Sequence, residues 1–227
     1  MKLVLFDIDG TLLDSGGAGS RALNAAFLQM FSIDNAFQGI RMGGKTDTEI
    51  IREAIERHGI NMDGQMPRFT GIYLGHLKSG MDGKNPKRRL KPGVKEALNA
   101  LYIMEGVALG LLTGNIEEGA RIKLNPFGLN CYFPAGAFGS DKADRNALLP
   151  IALERFRARH PHAGLSVRDC IVVGDTPRDV ECAKLHEARS VAVATGGFSA
   201  AQLLATRADF VLNDLSDTAY FLKGLGL

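Results

Sequence analysis

Three short stretches of this chain set acids beside small and hydroxyl residues: Asp7-Ile8-Asp9-Gly10-Thr11, Thr113-Gly114-Asn115 and Gly174-Asp175-Thr176-Pro177-Arg178-Asp179. Two carboxylates one residue apart repel, and an acid at the end of an apolar run loses hydration that something must replace. Asp7, Asp9, Asp175 and Asp179 gathered at one edge therefore call for positive charge. A hard divalent cation supplies it; Mg²⁺ binds through one or two carboxylates together with waters and phosphate oxygens. The nearby glycines and hydroxyls suit a phosphate cradled by backbone N–H groups. A metal beside only one of two neighbouring carboxyls keeps that one ionised and lets the other carry a proton.

Each stretch follows an apolar run, at residues 2–8, 107–113 and 170–174. Further runs lie at 190–195 and 209–212, with a weaker one at 132–138. They are continuous rather than alternating, so they predict strands covered on both faces. Helices are expected between them, at 92–104, 143–157, 177–187 and 200–206. Such alternation predicts an α/β fold, a Rossmann-like parallel sheet whose ligands bind beyond the carboxyl ends of the strands. Residues 16–89 break the rhythm. Leu23, Ala26, Phe27, Met30 and Phe31 recur at helical spacing, as do Ile50, Ile51, Ala54 and Ile55, and then Phe69, Ile72, Tyr73 and Leu77. Gly16-Gly17 opens this region and the run 83–92 closes it. The predicted division is an α/β core from 1–15 and 90–227 with a helical cap at 16–89.

An Asp-x-Asp-Gly-Thr after the first strand, a Thr after the second and a Gly-Asp-Thr-x-x-Asp after a later one, in that order, resemble the haloacid dehalogenase superfamily. The resemblance spans almost the whole chain, with the phosphoglycolate phosphatases as the nearest branch, and the insert is similar to that family's C1 cap. It implies that Asp7 is a nucleophile forming an aspartyl-phosphate and that Asp9 is the acid and base. It implies that Thr113 and the Gly114–Asn115 backbone hold phosphoryl oxygens. It further implies that Asp7, the Asp9 carbonyl, Asp175 and Asp179 surround Mg²⁺. The family also places a Lys or Arg ahead of the last acidic motif. Here the stretch 139–146 offers Arg145, preferred because similar relatives place an Arg in an Asp-Arg-Asn context, and Lys142 second. An Arg would grip phosphate oxygens bidentately, a Lys as a point charge. In the cap, Gly44, Lys45 and Thr46 could read the substrate, with Lys45 on a second anionic group; a helix start capped by Thr46 is the competing reading.

Composition narrows the rest. The 227 residues carry a net charge of +2, which argues against a nucleic-acid or membrane-surface role. The basic run Lys84, Lys87, Arg88, Arg89, Lys91 has no aromatic residues interleaved and reads as a linker. Three scattered cysteines, no leader and no long apolar stretch predict a cytoplasmic protein, a monomer or small homo-oligomer. The expected activity is Mg²⁺-dependent hydrolysis of a small phosphorylated metabolite. A phosphomutase on the same scaffold is the alternative, and a non-catalytic relic a weaker one. Dehalogenation and phosphonate cleavage fit poorly, because neither resembling group carries an acid at the position of Asp9.

Overall fold

Apolar runs from all along the chain pair into one sheet, and the computed structural model describes every residue, Met1–Leu227. The elements are β1 (Lys2–Phe6), β2 (Leu13–Ser15), α1 (Ala18–Phe31), α2 (Asp47–Arg57), α3 (Met66–Asp82), β3 (Arg88–Leu90), α4 (Val94–Tyr102), β4 (Val107–Thr113) and α5 (Glu117–Leu124). They continue with β5 (Gly136–Phe138), α6 (Leu148–Arg159), β6 (Cys170–Gly174), α7 (Pro177–Leu185), β7 (Arg189–Val193), α8 (Ala200–Ala205), β8 (Phe210–Leu212) and α9 (Thr218–Leu225). The main sheet has six parallel strands in the order β5-β4-β1-β6-β7-β8.

Successive side chains of β1 enter different cores. Val4 and Phe6 pack with α4, α5 and α9, whereas Leu3 and Leu5 pack with α6 and α7. Both faces are covered, which is why the strand reads as an unbroken apolar run. The first strand is shorter than its run. Asp7 still donates its amide to Val173, but the Ile8 carbonyl accepts from Thr11, Leu12 and Leu13 and turns the chain. The weak run at 132–138 contributes only its last three residues, because Leu129–Tyr132 forms a tight 3-10 turn.

Two helices, α5 and α9, lie where none was expected. The α5 stretch is Glu-Glu-Gly-Ala-Arg-Ile-Lys-Leu, too charged to stand out as amphipathic, yet it buries Gly119, Ala120, Lys123 and Leu124. Between β2 and β3, helices α1, α2 and α3 enclose an apolar cluster of their own, built around Phe27, Phe69, Tyr73 and Leu77. β2 and β3 pair antiparallel as a two-stranded ribbon where the chain leaves and rejoins the sheet layer.

Candidate active site

The carboxyl ends of β1, β4 and β6 are adjacent in the sheet, so the three motifs meet there. Asp7 and Asp175 are buried just past β1 and β6, and Asp179 is buried in the first turn of α7. Each offers a carboxylate oxygen, and these oxygens lie within 4.8 Å of one another. Close approach is built in: Gly10 has a φ of 89°, and a Cβ there would stand 2.4 Å from an Asp175 oxygen. The Thr11 hydroxyl donates to Asp175 at 3.1 Å. Asp179 works twice, because Thr176 and Asp179 form a capping box at the start of α7, with Pro177 in its first turn.

Arg145 is the cation of this cluster. It is 3% exposed, lies 3.1 Å from Asp7 and also pairs with Asp179. Its Nε is buried without a partner, so part of its donor set is uncommitted. Lys142, the second candidate, is exposed and makes no ion pair with the cluster. The chain enters a 3-10 turn at Arg145–Ala147 that carries Arg145 inward under the sheet edge, whereas Lys142 precedes that turn and stays outside.

Burial raises the Asp7 carboxyl to about 6, with Asp179 and Asp9 adding to the rise and Arg145 opposing it. Burial, Asp179 and Asp7 push Asp175 up to about 8. Three carboxylates share one guanidinium and offer only hard oxygen donors. That donor set fits a divalent cation of the Mg²⁺ type. The Asp9 side chain is not part of the cluster and points toward the other end of the site.

There Lys123, which the sequence reading missed, holds Asp9. Its Nζ lies 2.5 Å from Asp9 Oδ2 and 2.5 Å from Asn115 Oδ1. Asn115 in turn donates to Asp9 and to the Thr113 hydroxyl, both at 2.9 Å. Burial favours a neutral Asp9, but the Lys123 charge and the hydrogen bonds from Lys123 and Asn115 outweigh it and hold the carboxyl below its usual range. The signal was present in the sequence: Lys123 shares a helix face with Ala120 and Leu124, and a lysine on an apolar face demands a buried acid.

The insert docks on this end through residues 44–49. Thr46 is the N-cap of α2, fully buried, accepting from the Glu49 amide while its hydroxyl donates to the Ala143 carbonyl. The helix-cap reading of Thr46 is the one its hydrogen bonds display, and its side chain does not line the cavity. Lys45 lines the cavity but pairs with Glu53 and lies 3.8 Å from Glu49. Gly44 also lines it, and a Cβ there would stand 2.8 Å from the Thr176 hydroxyl. Asp47 donates its amide to the Gly114 carbonyl at 2.7 Å, and its Oδ2 accepts from the Ile116 amide at 2.9 Å and from the Tyr73 hydroxyl at 3.2 Å. Thr48 donates to the Gly139 carbonyl, and Glu49 pairs with Arg178 at 2.7 Å. Backbones meet without clearance here: a Cβ on Gly114 would lie 2.2 Å from the Lys45 carbonyl oxygen, and one on Gly139 2.0 Å from that of Gly114. Between insert and sheet edge lies a cavity of ≈ 280 Å³, lined by Asp7, Asp9, Asp47, Asn115, Lys123 and Arg145 among others.

Three acidic or hydroxyl-bearing strand ends under a helical insert define the class. Residues 4–193 match the haloacid dehalogenase-like hydrolases, and the chain belongs to that family. It is 28% identical to the phosphoglycolate phosphatase of Agrobacterium fabrum, over 94% of this chain and 89% of that one. Among solved structures, a hydrolase from Pseudomonas syringae matches with a TM-score of 0.73 and 23% identity, covering 98% of each chain. A β-phosphoglucomutase-like protein from Thermotoga maritima matches at 0.63 and 20% identity, over 98% of this chain and 99% of that one. No helix is long and apolar enough to cross a membrane.

Proposed function

We propose that this hydrolase is a Mg²⁺-dependent phosphatase of a small phosphorylated metabolite, working through an aspartyl-phosphate. The observation that carries the reading is the buried cluster of Asp7, Asp175 and Asp179 with Arg145, opening on the cavity beside Thr113. Its likeness to the phosphoglycolate phosphatase of Agrobacterium fabrum supports a phosphate monoester as substrate.

Asp7, Asp175, Asp179 and the Asp9 carbonyl would hold the metal, which would neutralise phosphoryl charge and keep Asp7 ionised. The Asp7 carboxylate attacks phosphorus and carries the phosphoryl group. Arg145 and the Thr113 hydroxyl, with the Gly114 and Asn115 backbone, bind the transferring oxygens from opposite sides. Asp9 gives a proton to the leaving oxygen and takes one from the water that cleaves the acyl phosphate. Lys123 and Asn115 fix the orientation of Asp9. Residues 16–89 act as the cap, with residues 44–49 closing the cavity and excluding water.

The experiment is a screen of phosphorylated metabolites for phosphate release with Mg²⁺ and with a chelator. Release that depends on the metal and is lost in Asp7→Asn is expected; equal release by that variant would refute the reading. Following sugar 1-phosphates for an isomer separates the phosphomutase alternative, which would keep the phosphoryl group.

A further inference from the structure

Within the phosphatase reading, the cavity wall facing the sheet edge carries information about the leaving group. Three cations line the cavity, and each already has carboxylate partners. Arg145 faces Asp7 and Asp179, Lys123 faces Asp9, and Lys45 faces Glu49 and Glu53. A second anion on the substrate would have to displace one of them or lie against Asp9 and Asp47 without a partner of its own.

The groups that remain are of another kind. Asp47 is 8% exposed and lines the cavity. Its Oδ2 is taken by the Ile116 amide and the Tyr73 hydroxyl, whereas Oδ1 has no hydrogen-bond partner in the protein. That oxygen is accessible on a cavity-lining side chain, so it is free to accept from a ligand hydroxyl. Gly17, Gly19 and Ser20, at the start of α1, line the same cavity. α1 has no side-chain cap, so its first-turn amides want acceptors. A hydroxyl group both donates and accepts, so it can serve Asp47 and these amides alike. The cavity, at ≈ 280 Å³, lies at the small end for ligand sites.

We propose that Asp47 is a specificity-determining residue that accepts a hydrogen bond from a hydroxyl of the leaving group, and that the substrate is a polyol or sugar phosphate without a second anionic group. This rests on the phosphatase reading and departs from the substrate named for the relatives.

The test is kcat/KM with Mg²⁺ on ribose 5-phosphate, glycerol 3-phosphate, 2-phosphoglycolate and acetyl phosphate, the last having no hydroxyl on its leaving group. Wild type should favour one of the two hydroxylated esters over 2-phosphoglycolate by about 10-fold or more. In Asp47→Asn the ratio of that ester to acetyl phosphate should fall about 10- to 100-fold, the range for a hydrogen bond to a charged group. A wild-type preference for 2-phosphoglycolate, or an equal loss on every substrate in Asp47→Asn, would overturn the proposal and leave the phosphatase reading standing. The wild-type ranking needs no variant, so it decides even if Asp47→Asn does not fold. No release from any of the four, acetyl phosphate included, would bring down both.

Discussion

Asp7 and Asp9 are two residues apart, and they face opposite halves of the site. The half around Asp7 comes from the sheet layer alone: strand ends, the first turn of α7 and Arg145 from the turn before α6. The half around Asp9 is assembled from two layers: Lys123 and Asn115 come from the sheet side, Asp47 and Tyr73 from the helical insert. In the first half several acids share one guanidinium, and burial raises Asp7 and Asp175. In the second half a lysine sits directly on Asp9 and lowers it. One tripeptide therefore holds two carboxyls in opposite electrostatic conditions, and without a metal their order is the reverse of what the proposed roles need: a cation beside Asp7 would have to lower it, and charge arriving beside Lys123 would have to release Asp9 to carry a proton.

The comparison breaks most sharply at Asp7. Asp7→Asn should lower phosphate release by about 10⁴-fold or more, because no other group can carry the phosphoryl; a steady-state assay measures it. Arg145→Met should cost about 10²- to 10³-fold, the loss expected for one preorganised group on a transferring oxyanion. Lys142→Ala in the same assay should stay within twofold of wild type.

The second half should yield less. Lys123→Met should lower kcat about 10- to 100-fold through a displaced Asp9. It should also destabilise the protein by about 1–3 kcal/mol in urea, less than the ~3–5 kcal/mol of a fully buried broken pair, because the Asp9 side chain is 41% accessible. Stability against pH separates the halves further. Asp7 and Asp175 have folded values of about 6 and about 8, above the ordinary 3.8, so the folded state binds more protons than the unfolded one between these limits. Their contribution is present below about 3.8 and lost as pH rises through about 6 and then about 8. Melting in chelator should fall by on the order of 5 °C from pH 5 to pH 8.5, and Mg²⁺ should recover more at the higher pH.

The smallest effect concerns thiols. Cys131 is exposed and should react with a maleimide within minutes in the native protein. Burial pushes Cys182 up to about 11 and Cys170 up to about 12, and Cys182 lies against the Arg145 carbonyl at 3.4 Å. Cys182 should stay unlabelled in native buffer; its labelling would show that the Asp7 half opens.

The same contrast governs how much could be read from the sequence. The Asp7 half was legible because Asp7 and Asp175 directly follow apolar strands and Asp179 lies in the first helical turn after one of them, and a strand end is a place where residue order fixes location. Arg145 was legible only through family likeness, since nothing local distinguishes it from Lys142 until the turn at Arg145–Ala147 buries one of them. The Asp9 half was poorly legible. Lys123 lies on a helix of mixed charge, and Tyr73 reads as a core aromatic until its hydroxyl is seen on Asp47. Thr46 was drawn toward the substrate by its neighbours, but its own chemistry as a helix cap prevailed. Contacts between layers depend on docking, which short-range patterns do not encode.

At Gly114 the sheet layer meets the backbone of the insert at Lys45 without space for a carbon. One methyl there is a wedge that bears no charge and replaces no side chain of the site. Such a wedge would jam the docked arrangement mechanically, and so give a handle for holding the two layers apart while every acid and base of the site stays in the chain.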